Sequence, residues 1–203
     1  LKTYAQYRPA WVYHNNLSNN ESYIGEAASH EVGHNLGLSH DGRTDGYEYY
    51  SGHGVGDISW GPIMGASYLR NVTQWSRGEY YLANNTQDDL ATVAGKIAYR
   101  ADDHGNTAAS ATPLVISGGS NIVSTTPETD PQNAVAANKG LLERNTDEDV
   151  FSFVTGGGVI RLAVQPWVMP AGTRGGDVDI VMELRNDGGV VVAATNPAAL
   201  TSA

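Results

Sequence analysis

The chain has 203 residues, of which 22 are acidic and 12 basic, and its formal net charge is −10. This acidic balance argues against a nucleic-acid-binding protein, which usually presents a basic surface. Cysteine is absent, so disulfide bonds, thiolate metal sites and cysteine nucleophiles are excluded. Hydrophobic residues make up 40% and charged residues 17%, as in a globular protein. No apolar run approaches the roughly 18 residues of a membrane span.

The composition changes near residues 101–108. All six histidines lie at or before His104, and the chain beyond it is rich in Gly, Val, Thr and Asp. We therefore predict one domain over 1–103 and another over 104–203. The chain enters a patterned segment at once at its first residue and trails off after an expected strand. We interpret it as a piece of a longer protein, cut at both ends.

The segment from His30 to His40 reads H-E-V-G-H-N-L-G-L-S-H and follows an Ala-rich stretch that favours a helix. Residues four apart lie on the same helix face, so His30 and His34 would point two imidazoles at one site. Gly37 is typical of a residue that ends a helix in the left-handed conformation. The chain can then turn and bring His40 back to the same site.

Three histidines that leave one position for water are the ligand set of a catalytic zinc ion. Glu31 lies on the flank of the histidine pair, where it can take a proton from zinc-bound water without binding the metal. The pattern therefore predicts one zinc ion and hydrolysis of an amide, most plausibly a peptide bond, with Glu31 as general base.

The motif H-E-x-x-H-x-x-G-x-x-H resembles the signature of the metzincin zinc endopeptidases. Asn35-Leu36-Gly37 and the pair His40-Asp41 look most like the reprolysin (adamalysin) branch, and residues 60–65, W-G-P-I-M-G, fit the Met-turn of these enzymes. The resemblance implies the C-terminal part of an α+β catalytic domain and a set of site residues: the zinc ligands His30, His34 and His40, the base Glu31 and the structural Met64.

Asp41 has two interpretations. We slightly favour a hydrogen bond to a ligand histidine, because ligating imidazoles usually need an acceptor for their second N–H. The alternative is that Asp41 holds the loop that follows.

The sequence also departs from the metzincins. Some of them carry a Tyr two residues after the Met, where this chain has Ala66, and we assign the nearest tyrosine, Tyr68, no metal role. Without cysteine the chain looks like a bacterial relative. Only 29 residues precede His30, so we expect much of the upper subdomain to be missing, with residues 9–13 as its last strand.

Other interpretations stay open at this point. In a gluzincin, a downstream glutamate such as Glu48 would be the third ligand in place of His40. His53 is either an exposed loop histidine or a wall of the substrate pocket. The chain as a whole is alternatively a secreted, non-catalytic binding module with a structural metal site.

Two further patterns concern secondary structure. Leu90, Val93, Ala94 and Ile97 have the spacing of one helix face, and Thr86 with Asp89 resembles a capping pair. Beyond residue 110 the period becomes two. Strands are predicted over 150–154, 160–165, 178–185 and 190–194, with a turn at 186–189, and they favour an antiparallel β-sandwich.

The second stretch is similar to the bacterial pre-peptidase C-terminal domain. The matching residues are Asp147-x-Asp149-Val150-Phe151-Ser152-Phe153, Gly158-x-Ile160-x-Leu162-x-Val164 and Asp177-x-Asp179-Ile180. The resemblance implies a jelly-roll-like sandwich, here incomplete, that accompanies secreted proteases.

Four acids of this stretch are candidate Ca²⁺ ligands or solvated turn residues: Asp147, Asp149, Asp177 and Asp179. We further expect a secreted, monomeric protein that acts on proteins or peptides and binds no nucleic acid.

Overall fold

The computed structural model describes residues 9–117, 121–122, 138–164 and 180–196. These residues form two compact units, the first ending at Ala98 and the second starting at Tyr99. The division falls a few residues before the boundary predicted from composition.

The first unit contains two α-helices and one short pair of strands. In chain order its elements are a 3-10 helix His14–Leu17, α1 Glu21–Leu36, a 3-10 helix Gly56–Ile58, β1 Trp60–Pro62, β2 Val72–Gln74 and α2 Asp89–Ile97. The two strands pair in parallel. Residues 9–13 are not in a strand, so that prediction is wrong. Neither helix has the length and apolar character of a membrane span, and none is found elsewhere in the described residues.

The ends of α1 are set by its sequence. Asn20 caps the first turn, where its side-chain oxygen accepts a hydrogen bond from the backbone N–H of Tyr23 at 3.1 Å. Gly37 ends the helix with φ +99°, a left-handed conformation that favours glycine. The N–H of Leu38 then bonds the carbonyl of Gly33 at 3.0 Å, which closes the last turn. The predicted helix end at Gly37 is confirmed.

The core of the first unit lies against one glycine of α1. A Cβ on Gly33 would stand 2.5 Å from the sulfur of Met64 and 3.2 Å from the ring of Trp75. Only a residue without a side chain lets the helix approach Met64 this closely. The buried apolar residues are Ala27, Leu36, Leu38, Tyr50, Met64, Val72 and Tyr80.

The cap of α2 differs from the prediction. Asp88, not Thr86, is the N-cap, and its carboxylate accepts from the N–H of Ala91 at 2.8 Å. Aspartate is the stronger cap and stands directly before the helix, so it replaces the predicted pair. On the predicted apolar face, Leu90 and Ile97 are exposed.

The second unit consists of short elements. They are a 3-10 helix Ala108–Ser110, β3 Thr112–Pro113, β4 Ile116–Ser117, β5 Asn121–Ile122, β6 Phe151–Ser152, β7 Met182–Arg185 and β8 Val191–Thr195. Strands β4 and β5 pair antiparallel, as do β7 and β8, whereas β3 and β6 pair in parallel. The β-sandwich stays a prediction.

The individual strand predictions had mixed outcomes. The hairpin of β7 and β8 around residues 186–189 is confirmed, with Gly189 at φ +78° in the turn. Residues 160–164 are not in a strand, so that prediction is wrong where the structure describes it. Residues 165, 178 and 179 lie outside the described residues.

Candidate metal centre

Three histidines meet in the first unit. His30 and His34 project from α1, and the turn after Gly37 brings His40 beside them. One ring nitrogen of each lies within 4.8 Å of the others, and the Nε2 atoms of His34 and His40 are 3.0 Å apart. The spacing in the sequence thus brings together the histidines that it predicts to meet.

The outer nitrogen of each imidazole has an oxygen partner. His30 Nδ1 lies 2.8 Å from the carbonyl oxygen of Ile63, and His34 Nδ1 lies 2.9 Å from that of Leu38. His40 Nδ1 lies 3.0 Å from Oε1 of Glu48. Main-chain groups therefore orient the two helix histidines, whereas a side chain orients the third.

These partners determine which nitrogen faces the centre of the cluster. A carbonyl oxygen only accepts hydrogen bonds, so Nδ1 of His30 and of His34 carries the proton. An ionised Glu48 imposes the same tautomer on His40. Burial lowers the pKa of His30, and the other two histidines lower it further. With its proton on Nδ1, a neutral ring has its lone pair on Nε2, the nitrogen that can bind a metal ion.

The predicted Met-turn lies next to this cluster. The N–H of Gly65 donates to the carbonyl of Pro62 at 3.0 Å and closes the turn, and Met64 is fully buried. The preceding residue, Ile63, supplies the carbonyl that orients His30. Pro62 to Gly65 therefore supports the histidine cluster through both a side chain and the main chain.

Asp41 is directed away from the histidines. Its carboxylate accepts from Tyr80 Oη at 3.4 Å and from Asn85 Nδ2 at 3.1 Å. Its backbone N–H donates to the carbonyl of Met64 at 2.8 Å. Burial raises the pKa of Asp41 to about 6. These bonds favour the alternative in which Asp41 holds the following loop.

Residues 42–49, here called the Glu48 loop, close on themselves. The N–H of Tyr50 donates to the carbonyl of Asp41 at 2.7 Å, so the two ends of the loop are bonded together. The N–H of Ala66 donates to the carbonyl of Tyr50 at 2.9 Å, which ties the loop to the turn that holds Met64. The loop places the ring of Tyr49 with its centroid 4.4 Å from that of His40.

Glu31 is half-buried on α1, one residue after His30. Burial raises the pKa of Tyr49 and of Tyr68, and the charge of Glu31 raises both further. The charge of Glu31 therefore acts on both phenols. The ring of Tyr68 packs edge-on against Tyr23 at 5.5 Å.

The other histidines of the chain have different surroundings. His53 is exposed in its loop, and its Nδ1 lies 2.8 Å from the hydroxyl of Tyr50. His104 is buried in the second unit, where its Nδ1 lies 2.8 Å from Oγ1 of Thr112 and its ring contacts Phe151 at 4.6 Å. These contacts favour a structural role for His104.

The sequence did not identify the orienting role of Glu48. It offered this residue only as an alternative metal ligand, whereas the structure places its carboxylate on the outer nitrogen of His40. The acceptors Ile63 and Leu38 are backbone carbonyls, which no side-chain pattern can reveal.

The second unit contains a group of acidic side chains. Carboxylate oxygens of Asp102, Glu143 and Asp147 lie within 4.8 Å of one another, as do those of Asp102, Asp103 and Asp149. This group includes the candidate calcium ligands Asp147 and Asp149. The other two candidates, Asp177 and Asp179, lie outside the described residues.

The side chain of Glu143, a member of this group, is 6% exposed. Neither of its carboxylate oxygens accepts a hydrogen bond from a donor in the described part of the chain. Nε of Arg100 lies 4.0 Å from Oε1 of Glu143. Burial and the neighbouring Asp147 and Asp103 raise the pKa of Glu143.

Comparison with known proteins found one related family. Residues 17–112, just under half of the chain, match the family model described as Peptidase M66. This segment, which includes all three clustered histidines, is therefore similar to a family of peptidases. No curated protein and no solved structure matched the chain significantly.

Proposed function

We propose that the chain carries the catalytic centre of a zinc-dependent endopeptidase that hydrolyses peptide bonds. The observation that carries the proposal is the convergence of three imidazoles, each of which brings one ring nitrogen within 4.8 Å of the others. Nitrogen ligands of this kind suit Zn²⁺. The similarity of residues 17–112 to a peptidase family supports the reaction class.

In this proposal His30, His34 and His40 hold the zinc ion. A zinc ion bound there would supply a Lewis acid that polarises a substrate carbonyl and lowers the pKa of water. The acceptors on the three Nδ1 atoms fix each ring so that Nε2 stays available. Met64 packs against Gly33 of the same helix.

Glu31 is the proposed general base. Its carboxylate would take a proton from the attacking water and deliver it to the leaving amide nitrogen. Its position on the flank of the histidine pair supports this role, because the neighbouring residues His30 and His34 face the cluster. The charge of Glu31 acts on Tyr49 and Tyr68. In this proposal the two tyrosines would line the approach to the bond that is cleaved.

The experiment compares zinc content and peptide hydrolysis in the full-length protein and its Glu31→Gln and His40→Ala variants. Glu31→Gln should retain about one zinc per chain and lose at least about 100-fold in turnover, the usual contribution of a general base. His40→Ala should lose both zinc and activity.

Two results would contradict the proposal. Equal turnover by Glu31→Gln and the unaltered protein would exclude Glu31 as the base. Zinc bound without hydrolysis of any peptide would favour the alternative, a secreted binding module whose metal is structural.

Several finer expectations are part of the same proposal. These are membership of the reprolysin-like metzincins, a C-terminal pre-peptidase-like sandwich, secretion, a monomeric state and protein or peptide substrates. The Pro62–Gly65 turn with its buried Met64 is the feature that most favours the metzincin proposal.

We also propose that the acidic group of the second unit binds a Ca²⁺ ion. Calcium prefers several carboxylate oxygens, and buried Glu143 has two oxygens without a hydrogen-bond donor in the described residues. This proposal replaces the predicted ligands Asp177 and Asp179 with Asp102, Asp103 and Glu143. Thermal unfolding of the chain during a calcium titration tests it.

A further inference from the structure

We propose that Glu48 is the positioning residue of the metal centre: its carboxylate orients the His40 imidazole for metal binding. The inference rests on the proposed zinc function and adds a role for a residue that does not itself touch the metal. It is carried by the 3.0 Å contact between Oε1 of Glu48 and Nδ1 of His40.

The three histidines differ in how firmly their surroundings hold them. Two start from a regular helix, and their Nδ1 acceptors are the backbone carbonyls of Ile63 and Leu38. His40 lies beyond the helix end, and its side chain is 29% exposed. Its acceptor is the side chain of Glu48, which is 68% exposed. The acceptor of His40 is therefore a side-chain carboxylate, which one substitution can remove.

The Glu48 loop gives that carboxylate a defined position. Its ends are joined by the bond between Tyr50 and Asp41, and Arg43 N–H donates to the carbonyl of Tyr47 at 2.7 Å inside the loop. The neighbouring Tyr49 ring packs on His40. The contacts of Glu48 and Tyr49 therefore both limit rotation of the His40 imidazole about its Cβ–Cγ bond.

The same contact sets the tautomer. A carboxylate that accepts from Nδ1–H leaves Nε2 unprotonated, which is the form of histidine that binds a metal. Without an acceptor, the ring can carry its proton on Nε2 instead or can rotate away. Loss of such an acceptor typically weakens metal affinity 10- to 100-fold, and the exposure of Glu48 puts our expectation at about tenfold.

The test measures zinc affinity of the full chain by competition with a chelator, so the readout does not depend on catalysis. Glu48→Ala should bind zinc about tenfold more weakly than the unaltered chain. Glu48→Gln keeps a side-chain oxygen that can accept from Nδ1 and should recover most of the loss. Asp45→Asn is the matched control: it removes a charge from the same loop at a residue whose partner is Arg43, and it should bind zinc normally.

The possible outcomes separate this inference from the proposed function. Unchanged zinc affinity in Glu48→Ala, with zinc lost in His40→Ala, would overturn the role of Glu48 and leave the zinc site intact. An equal loss in Glu48→Ala, Glu48→Gln and Asp45→Asn would also overturn it, because general charge would then explain the effect. Zinc binding that survives His40→Ala would overturn the proposed site itself.

Discussion

Asp89 is a fully buried carboxylate in the first turn of α2. One oxygen accepts from the N–H of Ser76 at 3.0 Å, and the other has no hydrogen-bond partner in the described residues. Burial raises the pKa of Asp89 to about 7, and the charges of Asp41, Asp88 and Glu79 add to the shift. The folded chain therefore holds a proton there at a pH where the unfolded chain has released it.

This shift predicts how stability depends on pH. Between the unfolded pKa of 3.8 and the folded pKa of about 7, folding takes up a proton at Asp89. Stability from this group is thus present at low pH and lost as the pH rises through about 7, at no more than about 1.4 kcal/mol per pH unit. In metal-free protein, Asp89→Asn should become more stable relative to the unaltered chain between pH 5 and pH 8.

Urea unfolding at several pH values measures the difference. Glu21→Gln is a suitable control, since residue 21 is an exposed carboxylate in the first turn of the other helix and is not among the charges that shift the pKa of Asp89. If the Asp89→Asn and unaltered chains kept a constant stability difference across this range, burial would not govern the proton on Asp89.

At the same scale, the clustered histidines were predictable because a helix converts a spacing of four into proximity. Glu48 and Asp41 were not, since their partners depend on how the loop between them folds. Glu48 makes the contact to a histidine that the sequence slightly favoured for Asp41, whereas Asp41 binds Tyr80 and Asn85.

Among the secondary-structure elements, α1 carries two of the three clustered histidines, and its packing depends on one of its glycines. Its Gly33 faces the sulfur of Met64, Trp75 and Leu38, with no space for a methyl group. Gly25 lies on the same helix, where a Cβ would meet nothing within 4 Å. The helix therefore offers two glycines with opposite environments.

Alanine substitutions at these glycines should have opposite effects. Gly33→Ala should destabilise the first unit by about 1–3 kcal/mol, because overpacking forces Met64 or the helix to move. Gly25→Ala should stabilise it by about 0.5–1 kcal/mol through the lower backbone entropy of the unfolded chain. The midpoints of urea unfolding compare the two variants. A stabilising Gly33→Ala would mean that the helix does not rest on Met64 as described.

Elements with strong local signals were predictable: α1 with its glycine end, and the hairpin of β7 and β8 around a glycine-containing turn. Elements that depend on distant partners were not. Residues 160–164 do not form the expected strand, and β3 pairs with β6 in parallel. The sequence could not predict either outcome, because local alternation does not show which distant segment a strand pairs with.

At the scale of the whole molecule, each of the two units contains a proposed metal site. Calcium bound to the acidic group should raise the unfolding temperature of the second unit, with a gain of about 1.4 kcal/mol when free calcium is ten times its dissociation constant. Glu143→Gln should remove most of this gain. Glu148→Gln, which alters an exposed acid nearby in sequence, should keep it.

Differential scanning calorimetry with added calcium or with a calcium chelator makes the measurement. A calcium response that is equal in the unaltered chain and in Glu143→Gln would exclude the acidic group as the site. The sequence indicated acidic ligands in this half of the chain. It could not select them, because Asp102 and Asp103 are separated from Glu143 and Asp147 by about forty residues, and only folding brings them together.

The closure of the Glu48 loop has a consequence for evolution. The carbonyl of Asp41 and the N–H of Tyr50 are bonded to each other, and within the loop the N–H of Thr44 donates to the carbonyl of Leu82 at 2.8 Å. The bonds to the rest of the unit therefore hold the start of the loop, and residues 45–49 form its outer part. Compact loops of this kind tolerate insertions and substitutions better than the elements they connect. Descendants of one ancestor could therefore vary the outer part of this loop and inherit the histidines unchanged, as long as one carboxylate kept its contact with His40.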